Sequence, residues 1–368
     1  MLKNILSATR FTFPRVLGVT FLGLLLCCKA SAYTVGERHL VAHEDSAKLR
    51  DSQHRDLLRI TVWYPAADSS RETPLTIGPE GHPFFLSGTA AQDAPFVDDE
   101  RRPIILLSHG FGGTARVMGW FGTALARAGY VVIAVDHPGN NGLDPMTVAG
   151  AELFWERPGD LATALKRVKA DPEISRHLNI SLVGVAGFSA GGFTALAAAG
   201  GRVDLPRFLA FCEGHPEDGV CRPQREFPIA RNQVEEFMSS PENTIEIRHS
   251  SDPLAIPGIA AAFVMAPVFV QSFDPSSLNH ITVPVKIVLG DSDEVAPPST
   301  NGKVAGRLIP GAQLEVLPGV GHYDFLSECT PDGNAALSFC ATKIPRAVTH
   351  QTVIKNALAF FTRNLDTR

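Results

Sequence analysis

From Leu58 onward, short β-branched apolar runs alternate with segments of helical period, and few folds accommodate that alternation. It predicts βαβ units around a mostly parallel central sheet flanked by helices, an α/β fold. Strands are expected at 58–64, 103–107, 130–135, 180–186, 260–265, 283–289 and 313–317, each apolar enough to be covered on both faces. Helices are expected at 115–128, 158–168, 190–199, 298–308 and 348–365. Gly129 and Gly200 follow two of them, as helix C-termini often require, and Pro158 sits where a first turn tolerates it. The pattern breaks over residues 202–256, rich in Pro, Glu, Arg and Cys, with one modest helical segment at 229–238. This reads as an insertion in a domain spanning 33–368, after the 190–199 helix. Inserted there, it overhangs the crevice at the sheet's C-terminal edge as a partial lid, or else decorates the surface.

The 368 residues, 45% of them hydrophobic and 19% charged, suit a globule and not a disordered, coiled-coil or collagen-like chain. Lys3, Arg10 and Arg15 precede the apolar run 16–26, and Ala30, Ser31 and Ala32 offer small residues at cleavage spacing. Residues 1–32 are therefore expected to be a signal peptide, and the apolar run is too short to span a bilayer. Cys27 and Cys28 raise a lipoprotein alternative, against which stands the bulky Leu26. Removing the leader removes four cations and no acid, taking the net charge from -5 to -9. With no basic stripe either, nucleic-acid partners are not expected. Secretion, or export to a periplasm, makes disulfides the default for Cys212, Cys221, Cys329 and Cys340. The expected pairs are Cys212 with Cys221 and Cys329 with Cys340, each flanking a short loop. The spacings suit no zinc site.

The strongest chemical signal is Gly187-Phe188-Ser189-Ala190-Gly191, between an apolar strand and a small-residue helix. In that context the pentapeptide projects Ser189 Oγ above the sheet and aims the Ala190 N–H at a developing oxyanion. A hydroxyl needs a base, and His322 in Gly321-His322-Tyr323 follows the last strand, where a ring can reach back over the sheet edge. The acid belongs after the preceding strand, in Gly290-Asp291-Ser292-Asp293-Glu294. Asp293 fits best, with Asp291 expected to bond backbone and Glu294 to face water. The second oxyanion donor is expected from Ser108-His109-Gly110-Phe111-Gly112-Gly113, at the Phe111 N–H, with His109 a structural hydrogen-bonder. That glycine-rich stretch lacks a nucleotide-binding fingerprint, and no cofactor or metal is expected. Met118, Trp120 and Phe121 are candidates for an acyl pocket, with core packing as the alternative.

Together with Trp63-Tyr64-Pro65, Asp136-His137-Pro138-Gly139 and Arg157-Pro158-Gly159-Asp160, these motifs make the chain resemble the α/β-hydrolases over nearly all its length. Within them it resembles the dienelactone-hydrolase-like and platelet-activating-factor acetylhydrolase-like group. The resemblance implies an α/β-hydrolase fold, Ser189 as nucleophile, Asp293 and His322 as its partners, and Phe111 and Ala190 as oxyanion donors. True dienelactone hydrolases carry cysteine where this chain has Ser189, so ester hydrolysis of the lipase or esterase kind is favoured. The expected activity is a secreted serine hydrolase cleaving a small-molecule or lipid carboxylic ester through an acyl-enzyme. The rival readings are an amidase, an acyltransferase, or a catalytically silent binding protein of the same fold.

Overall fold

The computed structural model describes residues 32–365; the expected leader lies outside them but for Ala32, as do Cys27 and Cys28. Within the described residues eleven strands form one sheet. They are β1 (Thr34–His43), β2 (Leu57–Ala66), β3 (Thr73–Ile77), β4 (Phe85–Gln92), β5 (Arg102–Ser108), β6 (Val131–Asp136), β7 (Leu178–Phe188), β8 (Ile259–Met265), β9 (Val285–Gly290), β10 (Gln313–Leu317) and β11 (Glu328–Cys329). The order is β10-β9-β8-β7-β5-β6-β2-β1-β4-β11, with β3 on β4. From β6 through β5 to β10 every pairing is parallel. The antiparallel pairs are β1 with β2, β2 with β6, and β4 with β3 and β11.

Two apolar cores sandwich the parallel block, one on each face. Along β5, Ile104 and Leu106 join one core while Ile105 and Leu107 join the other, as the two-residue strand period requires. Helices Arg157–Lys169 and Ala190–Ala198 supply Leu161, Ala164 and Phe193 to the first. Helices Gly119–Arg127 and Arg346–Leu365 supply Phe121, Val353 and Phe361 to the second. Each fully buried aliphatic or aromatic side chain is worth about 1.5 to 3 kcal/mol, so these layers hold the strand tips rigidly. The chain turns to β6 after β5 and to β8 after β7, so adjacent strands β5 and β7 mark a topological switch point, where Ser108 pairs with Gly187. Ligand crevices open at such points.

The expected strands all form, within two residues at each end. Strands β1, β3, β4 and β11 were not expected, because polar residues interrupt their alternation; β1, for example, carries Glu37, Arg38 and His39. The 298–308 segment is helical only over Gly302–Leu308, since Thr300 sits in a turn and donates to Asp218 Oδ2 at 2.8 Å. Residues 202–256 are more helical than expected, with Leu205–Gly214 and Thr244–His249 beside Arg231–Ser239. Their apolar stripes are short and half-buried, which is why periodicity missed them. Cys212 bonds Cys221 and Cys329 bonds Cys340, with Cα atoms 5.3 and 5.9 Å apart. Contrary to the loop-flanking expectation, Cys212 lies in a helix and Cys329 in β11. No helix among the described residues is long and apolar enough to cross a membrane.

Candidate active site

Strand β7 ends at Phe188, and helix Ala190–Ala198 begins one residue after Ser189, so the serine alone turns the chain. It does so at φ 57° and ψ -118°, a conformation that costs a non-glycine residue about 1 to 3 kcal/mol. The flanking glycines make the bend feasible. A Cβ at position 187 would stand 2.0 Å from the Gly191 carbonyl oxygen, and one at 191 would stand 2.0 Å from that of Ser108. Hydrogen bonds lock the turn: the Ser189 N–H donates to Met265 O at 2.9 Å, and Ser189 O accepts from the Gly192 N–H at 2.8 Å.

Strands β9 and β10 deliver the other two side chains to the same edge. His322 Nε2 lies 2.9 Å from Ser189 Oγ, and His322 Nδ1 lies 2.7 Å from Asp293 Oδ2. A carboxylate only accepts, so Nδ1 carries the proton and Nε2 is left to accept from the Ser189 hydroxyl. The second oxygen of Asp293 accepts from the Val295 and Ala296 N–H groups at 3.0 and 2.7 Å, which fixes the carboxylate plane. Ser189, Asp293 and His322 are all buried. Asp291 instead accepts from the Gly319 N–H at 2.7 Å, and Glu294 is exposed.

The Ala190 N–H is the first of its helix and has no intrahelical acceptor. Phe111 follows β5 across the switch point. Its loop is held by Asn140, whose Oδ1 accepts from the Gly112 N–H at 2.8 Å while its Nδ2 donates to Gly150 O at 3.2 Å. Phe111 and Ala190 pack together with Val220 and Val268 in one small apolar cluster.

Beneath that loop lies a second chain of the same chemistry, wholly buried. Ser108 Oγ lies 2.8 Å from His137 Nε2, and His137 Nδ1 lies 2.7 Å from Asp160 Oδ2. Asp160 also takes a bidentate pair from Arg50 at 2.7 and 2.9 Å. Burial holds the His137 ring well below the ordinary histidine range, with the Arg157 and Arg50 charges acting in the same direction. Neutral His137 therefore donates to Asp160 and accepts from Ser108. Arg157 donates to the His109 carbonyl and, through Nε, to Thr194 Oγ1 at 3.1 Å, and Thr194 donates to Ala190 O. One buried guanidinium thus ties the Phe111 loop to the helix behind Ser189. His109 is a structural bonder here: Nδ1 faces Gly110 O and Nε2 accepts from the His137 N–H. The sequence reading assigned no role to Asn140, Arg157 or Asp160. The available signal was charge on an apolar helix face, Arg157 and Asp160 lying one turn apart beside Leu161 and Ala164.

Met118, Trp120 and Phe121 line neither of the two cavities described below. They are core residues, with the Trp120 ring stacked on His350 and its N–H donating to Phe325 O at 3.1 Å. A cavity of about 780 Å³ instead lies between Phe111, Phe154, Phe269 and the inserted helices, lined by Phe208, Val234 and Met238 among others. A smaller, more polar cavity of about 390 Å³ lies against His322 and Tyr323 and includes Arg222, Arg225 and Lys343. The disulfide-closed loop 212–221 is fastened to the acid loop through the Asp218–Thr300 bond.

A strand-turn-helix serine, a facing histidine and a strand-tip carboxylate at a sheet's switch point are the parts of a hydrolase-type site. The profile of the Alpha/beta hydrolase family matches residues 104–336, and the chain belongs to that family. A ferulic acid esterase from Streptomyces cinnamoneus has a similar fold, with a TM-score of 0.59 at 18% identity over 91% of each chain. Among curated protein sequences, none matches.

Proposed function

We propose that the protein is a serine esterase acting through Ser189, His322 and Asp293. The observation that carries this reading is the unbroken hydrogen-bonded chain from Ser189 Oγ through the His322 ring to Asp293. In the reaction, Ser189 Oγ bonds to the ester carbonyl carbon while its proton passes to His322 Nε2. The imidazolium so formed is stabilised by Asp293, and the oxyanion by the N–H groups of Ala190 and Phe111. The tetrahedral intermediate collapses, the carbon–oxygen bond to the alcohol breaks, and His322 returns its proton to the departing oxygen. Water then attacks the acyl-enzyme, giving one proton to His322; release of the carboxylic acid restores the Ser189 hydroxyl with that proton.

The two cavities suit the two halves of an ester. The apolar one adjoins the oxyanion donor Phe111 and would take the acyl group, while the polar one adjoins His322, which protonates the leaving alcohol. The motifs that join Ser108–Gly113, Asp136–Gly139 and Arg157–Asp160 to the serine site favour kinship with the dienelactone-hydrolase-like and platelet-activating-factor acetylhydrolase-like group. Two disulfides and the leader read over residues 1–32 support secretion or export, with residues 33–368 as the mature domain and 202–256 as its partial lid. A fluorophosphonate probe followed by peptide mapping tests the site, together with acyl esters of graded length. Labelling at Ser189 and hydrolysis are expected; labelling elsewhere, or an unreactive protein, refutes the reading.

A further inference from the structure

Within residues 202–256 the longest buried run is Asp218-Gly219-Val220, and its glycine lies against the loop that carries Asp293. A Cβ at position 219 would stand 2.1 Å from the Glu294 carbonyl oxygen and 2.4 Å from that of Val295. Each of those oxygens shares a planar peptide group with one of the two donors that fix Asp293: Glu294 O with the Val295 N–H, and Val295 O with the Ala296 N–H. Displacing either carbonyl therefore turns an N–H that Asp293 accepts. The φ of Gly219 lies outside the left-handed region, so the close approach alone requires glycine there. Three contacts keep it in place. Asp218 Oδ2 accepts from Thr300 Oγ1 at 2.8 Å, Gly219 O accepts from Gln224 Nε2 at 3.1 Å, and the Cys212–Cys221 bond closes the loop. The next residue, Val220, packs with Ala190, Ala296 and Phe111.

We infer that Gly219 is a positioning residue of the hydrolytic site, through which the inserted segment holds the Asp293 carboxylate in line with His322. The inference rests on the esterase reading and adds to it a residue that touches neither substrate nor the reacting atoms. Asp293 Oδ2 is committed to His322 Nδ1 at 2.7 Å, and Oδ1 to the two N–H groups at 3.0 and 2.7 Å. The carboxylate cannot follow a shift of those N–H groups without weakening its bond to the ring. A misplacement of about 1 Å in such a support costs on the order of 10²-fold in rate. Gly214 lies in the same disulfide-closed loop, and nothing stands within 4 Å of the place its Cβ would take. It offers the same substitution with no neighbour to move.

The test is steady-state ester hydrolysis by the wild type, Gly219→Ala and Gly214→Ala, each with and without Asp293→Asn. Fluorophosphonate labelling carried to completion counts the active sites, so kcat per labelled Ser189 does not depend on how much of a variant is folded. Gly219→Ala is expected to lower kcat by about 10²-fold with KM changed by less than about twofold, and Gly214→Ala to leave both unchanged. Beside Asp293→Asn, Gly219→Ala is expected to cost less than about threefold more, because the carboxylate it acts through is gone. A merely structural defect would carry its full loss into that background. Should Gly219→Ala yield no labelled protein, Thr300→Val, which removes the hydroxyl bonded to Asp218, is read in the same way, with an expected loss of about threefold that disappears beside Asp293→Asn. A wild-type kcat in the variant so read, or a loss undiminished beside Asp293→Asn, overturns the inference while ester hydrolysis itself stands. A wild type that hydrolyses no ester and takes no probe on Ser189 overturns the esterase reading, and this inference with it.

Discussion

His322 Nε2 stands 2.9 Å from Ser189 Oγ across 133 residues of sequence, and the two meet because β7 and β10 end at the same edge of one sheet. In the proposed mechanism the pair acts as a unit, so its losses are not expected to add. Ser189→Ala or His322→Ala is expected to lower kcat by about 10⁶-fold, and the double variant by no more than either alone. Asp293→Asn is expected to cost about 10⁴-fold by favouring the wrong histidine tautomer. Steady-state ester hydrolysis checks all four variants; additive losses would show that the residues do not act together.

Asn140 makes no hydrogen bond to Ser189 or His322 yet holds the Gly112 N–H, next to Phe111, whose own N–H is the proposed oxyanion donor. Asn140→Ala is expected to lower kcat by about 10²-fold, as small misplacements of an oxyanion donor do, with little change in KM. A rise in KM at constant kcat would place Asn140 in substrate binding instead.

Ser108, His137 and Asp160 repeat the hydrogen-bond pattern of Ser189, His322 and Asp293 at a wholly buried place beneath the Phe111 loop. A fluorophosphonate is therefore expected to label Ser189 and leave Ser108 untouched, which mass mapping of the labelled peptides decides. The buried set is expected to show itself in stability. Asp160→Ala strands the Arg50 guanidinium and is expected to cost about 3 to 5 kcal/mol in denaturant unfolding.

Glu152 is held above its ordinary value by burial, from 4.5 to about 7, so the folded state binds its proton more tightly than the unfolded chain does. Between those two values the folded protein carries more protons, and stability falls as pH rises; below 4.5 the group has no effect. The full loss above pH 7 is at most about 3 kcal/mol. Glu152→Gln is expected to abolish this component, so its stability relative to wild type should improve from pH 5 to pH 8. A difference that stays flat with pH would mean the carboxyl group is not shifted.

The Cys212–Cys221 bond closes the loop that Asp218 fastens to Thr300, beside the acid loop. Replacing both cysteines with serine is expected to cost about 2 to 4 kcal/mol. Urea unfolding of the oxidised protein and the double variant measures it.

Much of this protein could be read along the chain because its signals are local. Apolar runs dictate buried strands, and the glycines at 187 and 191 are required by contacts within one turn and one neighbouring strand. The serine elbow, the histidine after the last strand and the carboxylate after the strand before it follow from a chain order with few alternatives. What only the folded molecule decides is long-range. Met118, Trp120 and Phe121 became core and the insertion's aromatics became the cavity wall, because the same apolar side chain serves either purpose and the facing element chooses. Arg157 and Asp160 acquired their role from Ser108, Thr194 and Arg50, partners that no spacing rule connects. Glu152 was invisible for the same reason: a carboxylate is ordinary on a surface, and only three-dimensional packing half-buried it against an apolar cavity.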